Sequence, residues 1–169
     1  NDMIQEPETE RLRFRQFTEG DVEGYYEFFA DPVTQITHPP DMNRGIVWRE
    51  IAKILGHWKI RGFGLWALED KASGRFAGYA GLWFPGDFDD VEVGYGLHPA
   101  FRGRGYAVEA ARRARDYGYL ERNFKRIVSY IQPKNLQSIR VAEKLGAKPA
   151  GVFNLQGKAH TVYLHQQPQ

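Results

Sequence analysis

Val91–Leu120 reads VEVGYGLHPAFRGRGYAVEAARRARDYGYL, and the rest of the chain is arranged around it. In its first seven residues Val91, Val93, Tyr95 and Leu97 alternate with Glu92, Gly94 and Gly96. A period of two predicts a strand with one apolar face. Pro99 stops that strand. From Ala107 the period changes: Ala107, Ala110, Ala111, Ala114 and Gly118 recur at helical spacing. Between strand and helix lies Arg102-Gly103-Arg104-Gly105-Tyr106-Ala107. Small residues let backbone N–H groups approach a ligand. The first turn of a helix leaves its N–H groups unpartnered, at the positive end of the helix dipole. Strand, glycine turn and helix start together make an anion seat, most often for phosphate. Arg102 and Arg104 either add charge to that seat or are solvated loop charges.

Outward from this stretch, periodicity gives the remaining elements. Glu10–Phe17 alternates as a first strand, and Thr18 with Asp21 has the form of a capping box for a helix from Val22 to Ala30. Asp31-Pro32 ends it. The stripe Val47, Ile51, Ile54, Leu55, Trp58 predicts a second helix over Arg44–Ile60, closed by Gly62 and Gly64. Phe63–Leu68 and Arg75–Phe84 form a hairpin across Asp70–Gly74. After the central strand and a helix over Tyr106–Leu120 come a short strand Arg126–Ile131, a helix from Asn135 to about Lys144, and a hairpin of Lys148–Leu155 with His160–His165. The order is β, α, α, β, β, β, α, β, α, β, β. It predicts one α/β domain over residues 1–169, a mixed sheet with helices on both faces. Residues 1–9 are expected to be loosely ordered. The strands flanking helix Tyr106–Leu120 should be parallel neighbours joined by a right-handed crossover.

Bulk properties narrow the function classes. The 169 residues suit a single domain with a real core. A net charge of +2 argues against general nucleic-acid or membrane binding. No apolar run approaches the roughly 20 residues needed to span a bilayer. The N-terminus lacks a basic-then-apolar signal pattern. Cysteine is absent, which removes disulfides, thiolate metal sites and a cysteine nucleophile and fits the cytoplasm. His38, His98 and His160 each lack a second ligand at metal spacing; they read as loop or surface residues, and no metal is expected.

Two phosphate motifs fail. There is no Gly-Lys-Ser/Thr, and the turn lacks the three-glycine spacing of a dinucleotide fingerprint. Arg102-x-x-Gly105-x-Ala107, behind a Glu-x-Gly-Tyr-x-Leu-x-Pro strand end, resembles the coenzyme A turn of the GNAT N-acetyltransferases. A second segment agrees: Asn135-Leu136-Gln137-Ser138, then Glu143-Lys144-Leu145-Gly146-Ala147, is similar to that family's Asn-x-x-Ser-x-x-x-x-Glu-Lys-Leu-Gly-Phe. Ala147 stands where the family has an aromatic. The Glu-Val-Gly-Tyr start and two-helix opening look most like the ribosomal-protein alanine/serine N-terminal acetyltransferase branch.

The resemblance implies about seven strands with splayed central parallel strands, acetyl-coenzyme A as donor and a primary amine as acceptor, either a small molecule or a protein N-terminus. It allows a monomer or homodimer, and the small net charge leaves no nucleic acid and no membrane as an expected partner. The diphosphate would sit on backbone N–H groups of Arg102, Gly103, Arg104, Gly105, Tyr106 and Ala107. The pantetheine arm would pair with backbone near Tyr95 and Leu97, with Asn135 on the arm and Ser138 near the sulfur.

Acetyl transfer needs a neutral amine, although a lysine titrates near 10.4 and an α-amine near 8. It needs a donor for the oxyanion and a proton for the leaving thiolate. Glu92, the carboxylate within the central strand, is either the base, directly or through water, or a salt-bridged strand residue. The oxyanion donor is a backbone N–H near Tyr95. Ser138 is the acid by resemblance, or an ordinary first-turn residue; Tyr130 is the alternative acid, or core. Asn135 is an N-cap, an arm contact, or both. Tyr25, Tyr26, Phe29, Trp48 and Trp58 read as core, with one or two lining the acceptor side. A coenzyme A-binding module without catalysis and a nucleotide- or nucleic-acid-binding domain are the competing functions.

Overall fold

The computed structural model describes residues 5–169. Alternating stretches became strands and 3.6-periodic stretches became helices, in the expected order: β1 (Leu12–Arg15), α1 (Val22–Ala30), α2 (Arg44–Arg61), β2 (Leu65–Asp70), β3 (Phe76–Trp83), β4 (Val91–Leu97), α3 (Tyr106–Asp116), β5 (Ile127–Ile131), α4 (Leu136–Lys144), β6 (Lys148–Leu155) and β7 (Lys158–Leu164). The seven strands form one sheet in the order β1-β2-β3-β4-β5-β7-β6. Every neighbouring pair is antiparallel except β4 and β5, which are parallel. Among the described residues no helix is long and apolar enough to cross a membrane.

The helices divide between the two faces. On β3, Tyr79 packs against Tyr25 of α1 and Trp83 stacks on His57 of α2, at 6.0 and 4.2 Å between ring centres. Ala80 and Leu82 point the other way, toward α3 and the turn after it. The alanine face of α3, Ala110, Ala111 and Ala114, is buried there. Leu12, Phe14, Trp66, Leu68, Leu82, Val93 and Ile127 form the solvent-free centre.

Two local outcomes depart from the periodicity. Regular α3 stops at Asp116, and Tyr117–Glu121 continues as a π-helical turn. A Cβ on Gly118 would stand 2.6 Å from Ile127 Cδ1, so this turn lies closer to the sheet than a side chain permits. Tyr119 anchors it, its hydroxyl accepting from Ile127 N–H at 3.1 Å. At the other end of the chain, residues 1–4 of the expected loose N-terminus lie outside the described residues. Pro7 O accepts from Phe14 N–H, Thr9 N–H donates to Leu12 O, and Glu8 pairs with Arg13.

The feature that makes the site is where β4 and β5 part. They pair only at Val91/Ile127 and Glu92/Val128. Beyond these positions β4 continues to Leu97 and β5 to Ile131 as separate strands. Backbone polar groups alternate sides along a strand. His98 N–H donates to Ala77 O, on the β3 side. Val93 O accepts from Ser129 Oγ, on the β5 side. By that alternation Tyr95 and Leu97 turn their N–H and C=O into the open gap.

Candidate functional site

The turn after β4 is built as an anion seat should be. Gly103 and Gly105 have φ of 78° and 79°, a left-handed conformation that other residues adopt only with strain. Gly105 is the N-cap of α3. Among the described residues the N–H groups of Gly103–Ala107 have no protein acceptor. The side chains around them are braced. Tyr106 donates its hydroxyl to Asp70 Oδ1 at 2.8 Å. Arg11 lies 4.0 Å over the Tyr106 ring, pairs with Glu109 at 2.7 Å and donates to Arg104 O at 2.8 Å. Glu109 also accepts from Arg11 N–H and the Thr9 hydroxyl.

Both motif arginines already have protein partners. Arg102 donates to Asp31 at 2.7 Å and to Thr34 Oγ1 at 2.8 Å. Arg104 donates to Ala100 O at 2.6 Å. Arg102 thereby ties the turn to the loop after α1. No local signal in the sequence marks Asp31 and Thr34 as its partners.

Two cavities open at the splay. The larger, about 670 Å³, is walled by Tyr25, Phe29, Tyr79 and Trp83 and reaches Glu92. The smaller, about 290 Å³, is lined by Phe28, Leu97, Arg102, Ala107 and Leu136. Tyr95, Asn135, Ser138 and His38 line both. So Glu92, Tyr95 and Ser138, far apart in sequence, share one space. Gly103, Arg104, Gly105 and Tyr106 line neither cavity and belong to the adjoining turn.

Glu92 accepts from Tyr130 N–H at 3.1 Å, across the gap where the strand ladder has ended. Burial pushes its carboxyl up to about 7, against the opposing pull of that hydrogen bond. Tyr95 donates its hydroxyl to Ser138 O at 3.0 Å, linking β4 to α4, and burial raises its phenol. Asn135 Oδ1 accepts from Ser138 N–H at 3.2 Å, so Asn135 is an N-cap. The Tyr130 hydroxyl accepts from Asp90 N–H, and its ring packs on Phe88 and Phe153.

Several residues sit differently from the expectation. His98 and His160 are buried rather than on the surface. His98 accepts from Ala100 N–H and faces Glu27, and His160 lines the larger cavity. Tyr25 and Phe29 serve both as core and as cavity wall, whereas Trp48 is 49% exposed. Ser129 and His165, both fully buried, carried no signal in the sequence. Burial holds His165 down to about 4, so it is neutral.

The molecule is thus an open mixed sheet whose two parallel strands part beside an N–H-lined turn. The acetyltransferase (GNAT) domain family matches residues 11–148, and the chain belongs to that family. An acetyltransferase structure from Agrobacterium tumefaciens is 29% identical, with a TM-score of 0.84, covering 98% of this chain and 96% of that one. YkkB of Bacillus subtilis, an uncharacterized protein, is 40% identical over 105 residues, 60% of each chain. RimL, a ribosomal α-N-protein acetyltransferase solved with coenzyme A, is 16% identical with a TM-score of 0.75, covering 95% of this chain and 96% of that one. At that identity the likeness to RimL is one of fold.

Proposed function

We propose that the protein moves the acetyl group of acetyl-coenzyme A to a primary amine by direct attack within a ternary complex. The observation that carries this reading is the convergence of Glu92, the outward-facing Tyr95 backbone and Ser138 on one cavity beside the unpartnered N–H groups of Gly103–Ala107. Those amides and the glycine cradle fit a diphosphate. Gly103 to Ala107 would hold the diphosphate through backbone; Arg102, expected to join them, donates its N–H to Pro99 O instead. Tyr95, Leu97 and Asn135 would hold the arm. Bound acetyl-coenzyme A supplies an activated thioester.

The remaining roles belong to this chain's residues. Glu92 takes the proton of the acceptor ammonium, directly or through water; a carboxyl near 7 is matched to that task at neutral pH. The Tyr95 N–H, turned into the gap, donates to the oxyanion; one such donor is worth about 3–4 kcal/mol. The Ser138 hydroxyl passes a proton to the thiolate through water. Tyr130 is less suited, because burial raises its phenol to about 12 and its hydroxyl lies at Asp90, before the start of β4. Aromatic walls at Tyr25, Phe29, Tyr79 and Trp83 strip water from the amine and favour its neutral form. No covalent enzyme intermediate is required.

The test is free-thiol release from acetyl-coenzyme A across a panel of amines: a polyamine, an aminoglycoside, amino acids and short peptides with free N-termini. Wild-type turnover on at least one, lost in Glu92→Gln and Ser138→Ala with coenzyme A binding retained, supports the enzyme. Binding without turnover on any amine supports a non-catalytic acyl-carrier module instead.

A further inference from the structure

Under the splay lies a buried serine–histidine pair that acetyl transfer does not use. Ser129 and His165 are each 2% exposed. Ser129 Oγ stands 3.0 Å from Val93 O and 2.8 Å from His165 Nε2. The pair has the spacing of a nucleophile and its base, but donor counting points elsewhere. One hydroxyl proton faces two acceptors. Were it given to His165 Nε2, Val93 O would lose its partner and Nδ1 would carry a proton. Among the described residues Nδ1 has no hydrogen-bond partner. Given instead to Val93 O, the hydroxyl leaves Oγ to accept from Nε2–H, and only one lone pair, at Nδ1, goes unused. Each buried polar group left unsatisfied keeps its full desolvation penalty, so the arrangement with fewer of them prevails.

The position of the pair gives it a purpose. Val93 and Ser129 follow directly on the last two paired positions of β4 and β5. There a side-chain hydroxyl replaces the backbone ladder bond. His165 is itself fixed: its N–H donates to Ile127 O at 2.9 Å, and its C=O accepts from the Tyr119 hydroxyl. That hydroxyl accepts in turn from Ile127 N–H, so the pin is anchored to the start of β5. Two residues beyond Val93, Tyr95 opens its backbone to the gap.

We propose that Ser129, oriented by His165, is a positioning residue that pins Val93 O and so sets the width of the splay and the aim of the Tyr95 and Leu97 backbone. This rests on the acetyl-transfer reading above. Ser129→Ala removes the pin and leaves Val93 O unpaired; Ser129→Thr keeps the hydroxyl. Coenzyme A affinity by calorimetry and turnover on an amine accepted by the wild type give the two main readings. Ser129→Ala should weaken coenzyme A binding and lower kcat, each roughly ten-fold, since displacements on the 1 Å scale cost up to about a hundred-fold. Ser129→Thr should stay near wild type. His165→Leu should cause part of the Ser129→Ala losses, since the hydroxyl keeps Val93 O but loses the donor that aims it, and His165→Gln, with an amide donor at similar reach, should recover them. The double variant Ser129→Ala/His165→Leu should be no worse than Ser129→Ala alone. Nitrogen-15 spectra of histidine-labelled wild type should show His165 as the neutral Nε2–H tautomer.

An Nδ1–H tautomer, additive losses in the double variant, or a lower Tm with unchanged affinity and kcat would each overturn the proposal. The spectra need no variant and stand even if Ser129→Ala does not fold. A wild type that binds coenzyme A but turns over no amine refutes the transfer reading alone; the affinity readings still decide the pin.

Discussion

Replacing Glu92 with glutamine should make the protein more stable and less active at once. In the folded chain burial raises this carboxyl to about 7, against an ordinary 4.5. Folded Glu92 therefore binds its proton more tightly than unfolded Glu92. Its contribution to stability is whole below about pH 4.5, declines as pH rises, and is gone above about pH 7. That shift corresponds to about 3 kcal/mol of stability missing at pH 8. The glutamine side chain never ionises, and its carbonyl can still accept from Tyr130 N–H, so the bridge across the splay survives. Thermal unfolding at pH 5 and pH 8 reads the difference. Glu92→Gln should gain roughly 6–12 °C over wild type at pH 8, from about 2–4 °C per kcal/mol for a chain of this size, and little at pH 5. Turnover should fall about 10²- to 10⁴-fold, the usual worth of a general base, while the wild-type kcat/KM rises through about pH 7. Equal stability gains at both pH values would show that Glu92 is not a buried, raised carboxyl. Retained turnover would show that it is not the base.

Tyr95→Phe removes the bond to Ser138 O and should cost about 0.5–1.5 kcal/mol of stability by denaturant titration. Because the proposed donor is the Tyr95 backbone, kcat should drop less than about ten-fold. A loss of the size seen for an oxyanion donor would move the role to the phenol. Gly105→Ala forces a Cβ into φ 79°, at about 1–2 kcal/mol of strain, and should weaken coenzyme A binding by calorimetry while leaving the far-UV spectrum unchanged. Unaltered affinity would argue that the ligand does not read this turn.

The element order was legible because the chain changes period cleanly, from two at Val91–Leu97 to 3.6 from Ala107. The end of α3 was not. Gly118 fits the helical stripe, and nothing in the sequence marks its close approach to Ile127 and Leu82 or the π-helical turn that contains it. Alternation placed Glu92 and Tyr95 correctly on β4, yet the high pKa of Glu92 depends on the packing around it. Arg102 was readable as a motif residue, but its ties to Asp31 and Thr34 cross about seventy positions. Asn135 showed its capping role locally, because an N-cap is defined by its own turn. His98, His160 and the Ser129–His165 pin gave nothing local to read, since each is buried by elements remote in sequence. Residues that act within their own turn can be read from a chain, and those that act across the sheet cannot.

The central claim is that the free amides opening α3 grip the diphosphate of coenzyme A. An amide nitrogen-15 titration with coenzyme A tests it residue by residue. The largest shifts should fall on Gly103–Ala107, with a second group at Tyr95 and Leu97 in the gap. Shifts confined to other parts of the chain, or none at saturating coenzyme A, would contradict it.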